Sequence, residues 1–163
     1  MERKNPTLLM KELKYYQEEL KRLHREDINK SQVPLDDKMN PKYETGYSYM
    51  DNRQRIDEIH EKESRIRSAL AKFNAYTHVE GMDYTIAEAL VVISQLKDEI
   101  KVLQELAERP EIYTETGYRG ESTTYRINYH QGIVMNDLRR LHQQLTDIQM
   151  AVDRTNLTAE VEY

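Results

Sequence analysis

A chain of 163 residues, 33% charged and 38% hydrophobic, has too little apolar material for a large globular core but suits long helices with one apolar stripe each. A net charge of −5 argues against generic DNA or RNA binding, which shows a basic surplus or patch. The absence of Cys excludes disulfides, thiolate metal sites and Cys nucleophiles. The N-terminal stretch lacks the apolar run of a signal peptide and no segment is apolar enough to span a bilayer, so the expected setting is the cytoplasm of a bacterial or infected host cell, with no membrane partner.

The first helical pattern begins after Asn5-Pro6-Thr7. Leu9, Leu13, Tyr16, Leu20 and Leu23 step by four and three, the a/d spacing of a helical seam, and Pro6 or Thr7 fits its start. It decays near Asn29, and Pro34 and Pro41 punctuate the polar segment beyond it. The second pattern starts near Asp51, read as a cap, and carries Ile56, Ile59, Ile66, Leu70 and Phe73, with Glu63 at one polar seam position. The third begins with Thr85-Ile86-Ala87-Glu88, a capping box in which Thr85 and Glu88 satisfy each other's backbone N–H groups. Its stripe is Ile86, Ala89, Ile93, Leu96, Ile100, Leu103 and Ala107, and Pro110 ends it. The fourth carries Val134, Leu138, Leu141, Leu145, Ile148 and Val152.

The expected fold is all-α: a single helical domain over 1–163 built from two long antiparallel, coiled-coil-like hairpins, one over 7–75 and one over 85–156. Stripes this narrow leave much of each helix uncovered within one chain, so a homo-oligomer is expected.

Each hairpin carries a long polar insertion, and Glu-Thr-Gly-Tyr occurs in both, at 44–47 and 115–118, which suggests a duplication. In the second insertion Thr123, Tyr125, Ile127 and Tyr129 alternate with Thr124, Arg126 and Asn128. That alternation predicts a small β-hairpin turned at Gly117 or Gly120. Loops between packed helices are usually about 2–8 residues, and longer insertions tend to be functional or disordered.

The insertions have the composition of a binding surface. Tyr offers a flat face with a hydroxyl tip, Arg a planar fork for phosphate or carboxylate, and Gly close backbone approach. Tyr118, Arg119, Tyr125, Arg126, Asn128 and Tyr129 are the residues expected to clamp a base and hold its phosphates, with His130 beside them. Tyr47, Tyr49, Asn52 and Arg53 would supply a second wall. Stacking in single-strand binders is worth about 1–3 kcal/mol per base. The bland alternative is that the tyrosines pack the hairpin and the arginines pair with Glu115 or Glu121.

Catalytic patterns are missing: there is no nucleophile elbow, P-loop or dinucleotide glycine motif. Asp57 and His60 lie one helical turn apart. A di-iron bundle needs a Glu-x-x-His on each of two helices, and this single imperfect copy reads as a solvated face. No metal, no cofactor and no catalytic residue is assigned.

Phe73-Asn74-Ala75-Tyr76-Thr77, then Gly81, then Tyr84-Thr85-Ile86-Ala87-Glu88-Ala89-Leu90, and finally Val152-Asp153-Arg154-Thr155-Asn156 stand in an order that resembles a small bacterial and viral helical family, some of whose members are labelled septicolysin. The likeness covers roughly residues 50 to 160. It implies helical hairpins assembled into homo-oligomers and carries over no catalytic residue. The chain departs from the pattern at Ile93-Ser94, where an Arg-Asp pair is expected.

The expected function is therefore non-enzymatic: an oligomer that sequesters a small nucleotide-like ligand at its Tyr/Arg loops between subunits, in the manner of a viral sponge against bacterial immune signalling. The alternative is a structural or adaptor protein that binds another protein through its hairpins.

Overall fold

A computed structural model describes residues 2–163, and the chain divides into two compact units, Met1–Tyr76 with Asn156–Tyr163, and Thr77–Thr155. Among the described residues there are four α-helices and two small antiparallel sheets. The fold is thus mainly helical, and the all-α expectation holds with the sheets added.

In the first unit, β1 (Arg3–Lys4) leads into α1 (Pro6–Lys30) and, after a loop, α2 (Tyr49–Tyr76). Asn5 caps α1, its side chain accepting from the Leu8 N–H at 2.8 Å, while Pro6 occupies the first helical position, where its missing N–H costs nothing. The expected seam is the core. Leu20 and Leu23 pack against Ile56 and Ile59, and Leu9 against Ile66, so the helices run antiparallel. Full burial of such a side chain contributes about 1.5–3 kcal/mol. Glu63 is mostly shielded and accepts from Arg67 Nε, one turn on, at 2.9 Å.

Two features differ from expectation. Asp51 is not the cap of α2: it lies in the first turn, and its own N–H donates to the Ser48 hydroxyl at 3.3 Å, so Ser48 holds that role. The second is a strand pair that short-range patterns do not announce. β4 (Val161–Glu162) pairs with β1, seating Val161 in the core beside Leu9 and Ile66. Lys4 sits over the Tyr163 ring at 5.3 Å and bonds Glu12 at 3.0 Å. The Tyr163 hydroxyl and then Glu12 hold its ammonium well above the ordinary lysine range.

The second unit opens with a tight loop. The Val79 N–H donates to the Tyr84 carbonyl at 2.8 Å, the Ile86 N–H to Thr77 at 2.9 Å, and Gly81 takes φ +76°, a conformation that favours glycine. Val79 is buried. The capping box forms as read, Thr85 N–H to Glu88 Oε2 at 2.7 Å and Glu88 N–H to Thr85 Oγ1 at 3.3 Å, and starts α3 (Ile86–Glu108). A ribbon of β2 (Ile112–Thr116) and β3 (Ser122–Arg126) comes next, then α4 (Gln131–Thr158). Ile86, Ala89, Ile93 and Ile100 of α3 and Val134, Leu141, Ile148 and Val152 of α4 are the buried faces. Near one end of this unit Tyr129 donates to the Leu106 carbonyl at 2.7 Å. Near the other, buried Thr155 accepts from the Glu80 N–H at 3.0 Å, so α4 returns antiparallel to α3. β3 stops at Arg126, short of the alternation expected to run to Tyr129.

Candidate functional site

The ribbon of the second unit is a three-residue hairpin. The Gly120 N–H donates to Gly117 at 2.9 Å, and Gly120 itself lies at φ +80°. Tyr118 and Arg119 occupy the tip between them. This is a type I turn closed by a left-handed glycine, and Gly120, not Gly117, is the residue the geometry requires. Tyr118 is fully exposed.

Strand pairing sets which side chains share a face. Tyr113 faces Tyr125, and their rings stack at 5.4 Å with 24° between planes. Arg109, just past the end of α3, lies over the Tyr113 ring at 5.6 Å. The opposite face holds Thr114 and Thr124, whose hydroxyls bond at 3.0 Å, Thr116 and Ser122, and the pair Ile112 and Arg126. Neighbours in a strand point to opposite sides. Tyr125 and Arg126 therefore cannot grip one ligand from the same face, and the expected six-residue clamp is divided. Asn128 lies beyond the strand and is exposed. Tyr129 is committed to the Leu106 carbonyl. The His130 carbonyl accepts from Ile133 and Val134 at 3.0 and 3.3 Å to cap α4, leaving its ring exposed.

Charge is left open on the ribbon. Among the described residues Arg109, Arg119 and Arg126 form no ion pair, and Glu115 and Glu121 are not their partners. Guanidinium groups without carboxylates keep their forks available for an outside anion.

The residues expected from the first insertion are used differently. Asp27 of α1 accepts from the Tyr47 hydroxyl at 2.6 Å and from the buried Asn52 amide, and it pairs with Arg53. Asn52 also donates to the Leu23 carbonyl at 3.0 Å, and Arg53 lies 5.5 Å from the centre of the Tyr49 ring. The neighbouring recess, lined by Tyr47, Ser48, Asn52 and Arg55, is about 110 Å³, well below the 300 Å³ or more of ordinary ligand pockets. Tyr47, Asn52 and Arg53 all converge on Asp27, so this cluster fastens α1 to α2, with Arg53 Nε buried and without a partner among the described residues. Tyr47 and Tyr118 stand at the same place in the repeated Glu-Thr-Gly-Tyr, yet one is tied to Asp27 and the other is free. Gly46 has φ +62° while Gly117 does not enter that region, so the two tetrapeptides do not share a backbone.

Sequence reasoning missed Asp27, Arg109 and the pairing of Tyr113. The last was accessible: Tyr113 and Tyr125 are equidistant from the Gly117–Glu121 turn. Asp27 sits in an ordinary run of helix-surface charge that gives no such signal.

Asp57 and His60 are exposed on α2, and among the described residues no group of three or more His, Asp or Glu side chains is placed to hold a metal ion. No described helix is long and apolar enough to cross a membrane.

No family model matches the chain, and no curated protein matches it. A solved structure described as a functionally unknown conserved protein from Corynebacterium diphtheriae superposes with a TM-score of 0.76 at 11% identity, covering 99% of this chain and 100% of that one. At that identity the likeness is one of fold.

Proposed function

We propose that the protein is a non-catalytic binder that sequesters a small anionic, base-containing ligand on the ribbon of its second unit. The observation that carries this reading is the stacked pair Tyr113–Tyr125, flanked by Arg109, with Arg119 at the adjacent tip and neither arginine spent on a carboxylate. The half-exposed Tyr125 ring offers a face to a base, and the guanidinium groups offer forks to phosphate. Of the ligand surface expected from sequence, this reading keeps Tyr125 and Arg119, adds Tyr113 and Arg109, and leaves the Tyr47 cluster out. Homo-oligomerisation and a sponge-like role belong to the same proposal.

The test is native mass spectrometry of protein purified from its own cells, with mass analysis of what denaturation releases, then thermal shift with the recovered compound. An intact nucleotide at stoichiometric level is the expected result. Binding to the folded state then raises the melting temperature as RT ln(1 + [L]/Kd), and Arg109→Ala and Tyr125→Ala each abolish most of that rise. A shift untouched by both variants overturns the assignment. Recovery of a chemically altered ligand overturns the non-catalytic part.

A second reading has its own support. Tyr118 projects fully into solvent and the strand residues are exposed apart from half-buried Tyr113, which suits an adaptor that docks on another protein. It predicts no small-molecule shift and capture of one partner that Tyr118→Ala abolishes.

A further inference from the structure

The ribbon has two open edges, and the bonding pattern identifies which backbone groups they present. The Ile127 N–H donates to Glu111 at 3.0 Å and the Gly117 N–H to Glu121 at 2.7 Å. In an antiparallel ladder bonded and non-bonded pairs alternate, so Tyr113–Tyr125 and Glu115–Thr123 are the inward-bonding pairs between these two. Ile112, Thr114 and Thr116 on β2, and Ser122, Thr124 and Arg126 on β3, therefore turn their N–H and C=O groups outward. An isolated two-stranded hairpin is marginal in water, and an unpaired edge is a template for another strand. Here no residue of β3 is shielded, and Tyr113 alone of β2 is even half-buried.

We infer that β3 is an assembly edge: it pairs antiparallel with β3 of a second copy of this chain, about a two-fold axis at Thr124, to give a four-stranded sheet. Three features select this occupant and this edge. In that register Thr124 faces its own copy and Arg126 faces Ser122, so no like charges are opposed. The Thr114–Thr124 hydroxyl pair continues into an unbroken row of four threonines across the axis. β2 is the less open strand, since Arg109 lies over its Tyr113 and it carries Glu115 with Glu111 beside it, whereas Ser-Thr-Thr-Tyr-Arg of β3 has no acid. A two-fold pairing is self-complementary and closes at two copies.

This inference rests on the homo-oligomerisation in the proposed function but not on ligand binding, and it is tested without ligand, by sedimentation of the full chain and two charge variants. Wild type is expected at twice the single-chain mass of 19.4 kDa. Thr124→Lys and Thr124→Glu each place two like charges side by side at the axis, and each alone is expected at single-chain mass. An equimolar mixture of the two is expected to regain the doubled mass. Circular dichroism matching wild type shows that each variant is folded. Because the mixture is the readout, a loss of mass caused by local unfolding cannot imitate success. Wild type at single-chain mass, either variant keeping the doubled mass, or a mixture that stays single each overturns the proposal. Thr116→Lys, on the other edge and outside the threonine row, is expected to leave the mass doubled; if it alone reduces the mass, the β3 edge is the wrong one.

Discussion

Asn52, buried on α2, donates its side-chain amide to Asp27 on α1, and Asp27 simultaneously holds the Tyr47 hydroxyl and the Arg53 guanidinium. One carboxylate thus gathers the end of α1, the loop before α2 and the first turns of α2. Replacing Asn52 with Ala leaves the Leu23 carbonyl and part of the Asp27 carboxylate without their donor. An unsatisfied buried polar group costs about 1–3 kcal/mol, so Asn52→Ala should lower unfolding free energy by that amount in urea titration. It should not alter the ligand binding proposed for the ribbon.

At the ribbon tip, Gly120→Ala forces a Cβ into the left-handed region. No neighbouring atom obstructs the added methyl, so the cost is conformational, about 1–2 kcal/mol. Amide exchange at Tyr113 and Tyr125 should accelerate roughly 5–30-fold while the helical amides stay unchanged.

The start of α3 should depend on pH. The Thr85 backbone N–H, and secondarily its hydroxyl, hold the Glu88 carboxyl below its ordinary value of 4.5. A depressed folded value means the stabilisation is complete above about 4.5 and is lost as pH falls through the lower folded value. Glu88→Gln cannot titrate. Wild type should therefore lose more melting temperature than Glu88→Gln between pH 6 and pH 3, with the two curves converging in acid.

Thr155 joins the second unit's opening loop to its last helix: its hydroxyl accepts from the Glu80 N–H at 3.0 Å and donates to the Ala151 carbonyl at 2.9 Å. Thr155→Val should cost about 1–3 kcal/mol by stranding the Glu80 N–H, and Thr155→Ser should recover most of it. Urea unfolding of the three proteins decides this.

The helices were legible because their signals are local and periodic. Leu9, Leu20, Leu23, Ile56, Ile59 and Ile66 recur at the spacing that makes one helical face, and Thr85 with Glu88 announces an N-terminus within four residues. The motifs behind the septicolysin-like resemblance have structural work in this chain: Thr77, Gly81 and Thr155 shape and tie down the loop before α3. Long-range pairing left no such trace. β1 and β4 are two residues each, too short for an alternation, and they pair across almost the whole length of the sequence. The site was half legible for a related reason. Tyr and Arg composition marked the ribbon, but grouping Tyr125 with Arg126 overlooked the pleat that separates them. Tyr47 looked free because its partner, Asp27, is twenty residues away.

The seating of Val161 beside Leu9 and Ile66 also orders events during synthesis. The second unit is one continuous segment, Thr77–Thr155, whereas the first needs both Met1–Tyr76 and Asn156–Tyr163. On a ribosome the α1–α2 hairpin emerges early but stays unfinished, its Leu9–Ile66 end uncapped, until residue 161 clears the exit tunnel. By then every residue of the second unit has already been made. Of the two units, the one whose synthesis starts earlier is thus the later to be completed.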